Sequence, residues 1–334
     1  MKILYLSCHS ILEYDEVKLL TSLGHEVFSH GTYADPQKVD DPKRPGLEIP
    51  RYPDLIEKAK TCTKENLDVD LIAWADVIIC MHVVDWLRLN WSKFTGKRVI
   101  WRSIGQSTKD VENMLLSFRR DGLQIVRYSP RESTIPGFVG SDAMIRFYKD
   151  PDEFTGFTGE KREIITVAQS FQQRYEYTNW NIFKKVVDGL PARVYGPHNE
   201  GTGHLNGGCP DYEGLKKELR ENRAFFYTGT YPAAYTLGFI EALMTGIPVV
   251  ALGEHLGNSP YYLEQRTYEV PDIIRNGENG FIADDLDQLR NSLQTLLNDK
   301  NRAFHIGQEG RKTAILYFGM DKIKDQWKEF LERI

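Results

Sequence analysis

Residues 224–252 read AFFYTGTYPAAYTLGFIEALMTGIPVVAL. The stretch opens on AFFYT (224–228) and closes on IPVVAL (247–252), two apolar runs of strand length. Between them LGFIEALMTG (237–246) spaces its apolar residues as a helix does, and it stops at Gly246 with Pro248 just beyond. Strand, helix, strand is the βαβ crossover that joins parallel strands. One residue does not fit its helix. Leu237, Ile240 and Met244 share a face, and Glu241 lies on that same face. A carboxylate on an apolar stripe needs a partner, because burying an unpaired charge is costly. The helix start, AAYTLG, is small and polar, and its free amides suit a phosphate. A pyrophosphate there would leave a ribose near Glu241, about 7–10 Å along the axis. The alternative, that Glu241 pairs with a core arginine or caps a loop, stays open on these residues alone.

The same alternation continues in both directions. KILYL (2–6), HEVF (25–28), DVIICMH (76–82), RVIWRSI (98–104) and LQIVRYS (123–129) read as strands. The helix ILEYDEVKLLTSL follows the first and ends at Gly24. KDPDEFTGFTGEKRE (149–163) mixes Pro, Gly and charge and breaks the rhythm, which marks a domain boundary. The rhythm restarts with strands IITVAQ (164–169) and RVYG (193–196) and helices over 178–190 and 211–222, the last with Asp211 as N-cap. The expected division is 1–157, 158–317, and a final helix over 318–334. That helix carries Ile323, Trp327, Phe330, Leu331 and Ile334 on one stripe and must dock. Two restarting β/α halves predict two doubly wound parallel-sheet domains.

Bulk properties narrow the function classes. The chain has 334 residues and a net charge of -5, and 41% of it is hydrophobic. Residues 1–160 carry 21 basic against 24 acidic side chains, so no half is a polyelectrolyte and the basic footprint of a nucleic-acid binder is missing. Cys8, Cys62, Cys80 and Cys209 form no CxxC pair or metal spacing, and no bound metal is expected. The N-terminus MKILYLSCHS lacks a signal-peptide pattern and starts as a strand, so a cytoplasmic location is expected. Apolar runs such as VIICMHVV are too short to span a bilayer, although peripheral membrane contact stays open.

The C-terminal half resembles the group 1 (family 4) glycosyltransferases, retaining enzymes of the GT-B fold. TLGFIEALMTGIPVVAL is similar to their E-A-M-A-x-G-x-P-V-V segment, here at 241–250. YEVPDIIRNGENGF is similar to P-E-I-I-x-x-G-x-x-G at 271–280, and the helix ending LLND follows at 285–299. The likeness is specific over about 226–330. It is weaker but collinear earlier, with GHEV at 24–27 and DVIICMHVVD at 76–85. The resemblance implies two Rossmann-like domains facing across a cleft. It implies transfer of a hexose or pentose from a nucleotide diphosphate, UDP by preference, to a hydroxyl acceptor with retention and without a metal or other cofactor. A glycan, lipid-linked or small-molecule acceptor fits better than nucleic acid.

By the same resemblance, Glu241 would bind the donor ribose, and the amides of Tyr235, Thr236 and Leu237 would meet the diphosphate. Arg174 would neutralise that diphosphate, and His82 would stand near the reacting sugar. Two positions depart from the pattern. Ala233 stands where a sugar-binding glutamate is expected, and Gln169 where a companion arginine is expected. A nucleotide-sugar epimerase or phosphorylase, and a non-catalytic nucleotide-sugar binding protein, are therefore rival expectations.

Other signals read more plainly. His9 and Ser10 follow the first strand and read as a loop, with ligand contact the alternative. Asp68 and Asp70 read as a helix start, where carboxylates favour the dipole. SIGQS (103–107) follows a strand, is rich in small polar groups and is a candidate to line the interdomain cleft. GPHNEGTGHLNGGCP (196–210) has no GK[ST], so it is a loop and not a P-loop; GxGxxG is absent from the chain.

Overall fold

A computed structural model describes residues 1–31, 52–260 and 263–334. The chain forms two compact units, one of Met1–Phe147 with Asp321–Ile334, the other of Tyr148–Met320. The limits read from the sequence were 157/158 and 317/318.

Unit 1 holds strands β1 (Lys2–Leu6), β2 (Glu26–His30), β3 (Val77–Met81), β4 (Arg98–Arg102), β5 (Gln124–Arg127) and β6 (Ala143–Met144). They form one parallel sheet in the order β2-β1-β3-β4-β5-β6. Register is set across the middle by Ile79, which pairs with Tyr5 on one side and Ile100 on the other. Every residue of β3 is buried, as expected for a central parallel strand covered on both faces. The strand ends one residue before the apolar run does. His82 takes φ 58, which leaves the extended region, and its amide donates to Arg102 O at 2.9 Å.

Unit 1 also buries charged pairs. Arg102 (0% exposed) donates from Nε to Glu16 Oε1 at 2.8 Å and from Nη1 to Ile145 O at 2.6 Å. Its guanidinium carbon lies 4.7 Å from the Phe147 ring and 5.5 Å from that of Trp327. Arg127 grips Glu112 with two bonds of 2.6 and 2.8 Å. The closing helix Met320–Arg333 buries Ile323, Trp327, Phe330 and Leu331, four of the five residues on the expected stripe.

Unit 2 holds β7 (Lys161–Val167), β8 (Ala192–Tyr195), β9 (Asn206–Gly208), β10 (Asn222–Tyr227), β11 (Val249–Leu252) and β12 (Phe281–Ala283). All pairings are parallel, in the order β12-β11-β10-β7-β8-β9. The chain starts in the middle at β7, builds outward to β9, then returns to β10 on the other side of β7. The β7/β10 junction is thus the topological switch point, where loops from the carboxyl ends diverge and ligands bind in open α/β sheets. Phe225 of β10 pairs with Ile165 of β7 and Val249 of β11.

Three strands lie outside the strand candidates read from the sequence. β6, β9 and β12 are two or three residues long, too short to show a period. The segment 196–210, read as a loop, contains a 3-10 turn over Glu200–Leu205 and then β9. Glycine is what allows that edge: a Cβ on Gly207 would lie 2.6 Å from the Tyr195 ring. Asp68 and Asp211 cap their helices as read, accepting from the amides of Asp70 and Gly214, both at 2.8 Å.

Candidate functional site

The site grows from the two loops that leave β7 and β10. After Val167 the chain turns through Ser170 (φ 51) to Arg174. Asn199 of the Gly-rich segment holds this turn with both ends of its amide. Its Oδ1 accepts from the Phe171 amide at 2.8 Å, and its Nδ2 donates to Ala168 O at 2.7 Å and Gly196 O at 3.0 Å. Gly196 has to be glycine, because a Cβ there would sit 2.3 Å from Ala168 O at φ +126.

Thr178 ties the same turn from below, donating to Phe171 O at 2.8 Å and Arg174 O at 3.0 Å. The turn is then fastened to the loop after β10. Thr228 Oγ1 donates to Thr178 O at 2.8 Å, Asn179 Nδ2 donates to Thr228 O at 2.9 Å, and the Tyr231 amide donates to Tyr177 O at 2.7 Å. Gln169 and Arg174 both ride on this framework with exposed side chains. The Arg174 guanidinium makes no hydrogen bond or ion pair among the described residues. An open groove of about 350 Å³ begins at the next residue, lined by Tyr175, Glu176, Asn179, Asn181, Ile182 and Pro260.

The loop after β10 leads into the helix Leu237–Thr245, whose N-cap Thr236 is extended and makes no capping hydrogen bond with its side chain. The Thr236 amide donates to Tyr227 Oη at 2.9 Å. Burial pushes the Tyr227 hydroxyl well above its ordinary pKa, so it stays protonated, and its ring stacks on Tyr268 at 6.3 Å. The amides of Leu237 and Gly238 make no hydrogen bond among the described residues. Those two N–H groups and the positive end of the helix dipole therefore remain for an anion.

The other helix end is anchored. Gly246 takes the left-handed conformation (φ 91), and Arg311 donates to Met244 O, Phe154 O and, at 2.7 Å, Pro151 O. Glu241, midway, is 5% exposed. Its Oε1 lies 2.9 Å from Lys149 Nζ, so the carboxylate on the apolar stripe has a buried cation as partner. Ala233 is 9% exposed and sits in the turn before the helix, its amide donating to Thr230 O at 2.7 Å. Tyr235 is buried, its ring 5.1 Å from that of Phe318.

Thus Gln169, Arg174, Ala233, Tyr235 and Thr236 lie on two loops of unit 2 that are hydrogen-bonded to one another, and Leu237 and Glu241 lie on the helix that follows the second loop. His82 belongs to unit 1 and follows β3, at that sheet's own switch point. Burial lowers its pKa to about 4, and its Nδ1 is buried without a partner among the described residues. The ring is neutral at physiological pH, with one nitrogen a donor and the other an acceptor. His9 caps its helix, accepting from the Leu12 amide.

Ser103 and Ser107 are buried, and their hydroxyls donate to Glu132 at 2.8 and 3.2 Å, so the SIGQS segment serves the interior of unit 1. No group of three or more His, Cys, Asp or Glu suited to a metal occurs among the described residues. No helix among them is long and apolar enough to cross a membrane.

Sequence reasoning missed Lys149, Asn199, Tyr227 and Arg311. Lys149 falls in the stretch taken for a domain boundary, and the other three act through contacts distant in sequence. For Asn199 alone a signal exists, since an Asn among glycines after a strand favours turn-stabilising amide bonds.

The two units together have the two-domain α/β GT-B fold. It is shared over 100% of this chain and 100% of HepE of Anabaena, solved in complex with UDP-glucose, at a TM-score of 0.70 and 12% identity. The sucrose-phosphate synthase of Thermosynechococcus elongatus matches over 100% of this chain and 98% of its own, with TM-score 0.70 and 15% identity. A glycosyltransferase of Rickettsia africae matches over 100% and 99%, with TM-score 0.65 and 12% identity. No family model matches this sequence, and no curated protein does.

Proposed function

We propose that this protein is a glycosyltransferase that moves a sugar from a nucleotide diphosphate, preferably UDP, to a hydroxyl acceptor, with retention and without a metal ion. The observation that carries the proposal is in unit 2. There the exposed Arg174 guanidinium and the unbonded amides of Leu237 and Gly238 stand at two loops locked together at the β7/β10 switch point. Breaking a sugar–phosphate bond leaves positive character on the sugar and a departing diphosphate. An unpaired guanidinium and a helix N-terminus stabilise that leaving group electrostatically. The protein thereby supplies the charge that a metal would otherwise bring.

In the same reading Glu241 receives the ribose hydroxyls one turn further along the helix. The Leu237 amide, with that of Gly238, meets the diphosphate beside Tyr235, whereas the Thr236 amide, expected from the resemblance to join them, is already donated to Tyr227 Oη. Neutral His82 donates a hydrogen bond to a sugar hydroxyl rather than acting as a base. That HepE was solved with UDP-glucose supports uridine as the base. Ala233 and Gln169 mark the sugar end as this protein's own, so donor choice is where it differs from the family pattern.

The test is a transfer assay in which UDP release is followed for a panel of UDP-sugars and hydroxyl acceptors, with and without EDTA. The expected result is acceptor-dependent UDP release, insensitive to EDTA, giving a product of the donor's anomeric configuration. Conversion of the donor with no acceptor present would favour an epimerase. Binding with neither hydrolysis nor transfer would favour a non-catalytic binding protein, the reading motivated by Ala233 and Gln169.

A further inference from the structure

The cation facing Glu241 comes from a part of the chain far from the nucleotide loops. Lys149 is the second residue of unit 2. Its ammonium lies 2.9 Å from Glu241 Oε1, and the two side chains are 1% and 6% exposed. The backbone of Lys149 is fixed independently of that contact. Its amide donates to Phe318 O at 3.1 Å, and it bridges to Gly319. Its ammonium also lies 5.4 Å from the Phe154 ring, which favours a cation there.

The helix that carries Glu241 has no other charged residue in LGFIEALMT, and Ile240 and Met244 beside it are fully buried. A carboxylate in such surroundings needs a counter-charge close by, because burying an unpaired charge is costly. A carboxylate held in place by one oxygen can still accept from ribose hydroxyls with the other.

We propose that Lys149 is a positioning residue for nucleotide recognition: its charge holds and aims the Glu241 carboxylate, so that discrimination for the ribose hydroxyls depends on a residue that does not touch the nucleotide. This inference rests on the nucleotide-diphosphate reading above. Oε1 is held by the ammonium, and the second oxygen is left to turn toward the ligand. The pair differs from an ordinary buried ion pair in its expected consequence. A merely structural pair affects folding and leaves ligand preference alone.

The experiment compares the affinities of UDP and 2′,3′-dideoxy-UDP by calorimetry in the wild type, Lys149→Gln and Lys149→Arg. The wild type should prefer UDP by about tenfold or more, the scale of a hydrogen bond to a charged group. In Lys149→Gln the preference should fall to near unity, and Lys149→Arg, which retains the charge, should keep most of it. An unchanged preference in a folded Lys149→Gln would overturn the proposal. So would equal loss in both variants, which would show packing and not charge at work. Should Lys149→Gln fail to fold, the wild-type Lys149 ammonium ¹⁵N resonance, assigned with Lys149→Arg, decides. It should move on saturation with UDP and not with the dideoxy analogue, and a resonance unmoved by both would overturn the proposal. A wild type that binds no UDP overturns the nucleotide reading and this inference together, whereas UDP preference untouched by residue 149 overturns this inference alone.

Discussion

The amide of Thr236 donates to the hydroxyl of Tyr227 at 2.9 Å, fixing the N-terminus of the helix Leu237–Thr245 to the end of the strand before it. This bond sets the direction in which the next two free amides point. Tyr227→Phe keeps the ring stack and removes only the acceptor. It should cost about 1 kcal/mol of stability, measured by urea denaturation, together with a several-fold loss of nucleotide affinity.

Gly196 is the second point of local strain control. A Cβ there meets Ala168 O at 2.3 Å, and the backbone sits at φ +126. Gly196→Ala should therefore destabilise the protein by about 2 kcal/mol or more, read as a lowered thermal midpoint. It should also loosen the turn that carries Arg174, because Asn199 bonds both Ala168 O and Gly196 O.

Much of this architecture is legible in the sequence, and the limits are physical. β3, β10 and β11 are continuous apolar runs because both faces are buried, and such runs announce themselves. β6, β9 and β12 are two or three residues long and leave no pattern. At the site, Glu241 could be singled out because it is a charge placed oddly for its helix, and Arg174 only through the family resemblance. Lys149 could not, because a lysine in a polar, Pro- and Gly-containing stretch looks solvated. Only the fold shows it to be 1% exposed. The oddity of Glu241 and the invisibility of Lys149 are two sides of one ion pair.

His82 makes stability depend on acid. Burial holds its folded pKa near 4, against an ordinary value of 6.5. Between those values the unfolded chain binds the proton and the folded chain does not, so stability rises with pH through the window and is lost as pH falls. The full effect is about 3 kcal/mol. Burial lowers the His30 pKa as well, which adds in the same direction. Urea titrations at pH 4.5 and 7 should show a smaller pH dependence for His82→Gln than for the wild type.

The Arg127–Glu112 pair in unit 1 is almost fully buried, at 2% and 0% side-chain exposure. Glu112→Ala leaves the guanidinium without its bidentate partner and should cost about 3–5 kcal/mol in chemical denaturation. Converting both partners to apolar residues of similar volume should recover much of that loss.

The central claim is that unit 2 binds a nucleoside diphosphate through Arg174 and the helix N-terminus at Leu237. Calorimetric titration of UDP into the wild type and into Arg174→Ala tests it most directly. The account predicts saturable one-to-one binding by the wild type and a loss of about tenfold or more in the variant, the scale of a charge-assisted hydrogen bond. No saturable heat with millimolar UDP, or equal affinity in wild type and Arg174→Ala, would contradict it.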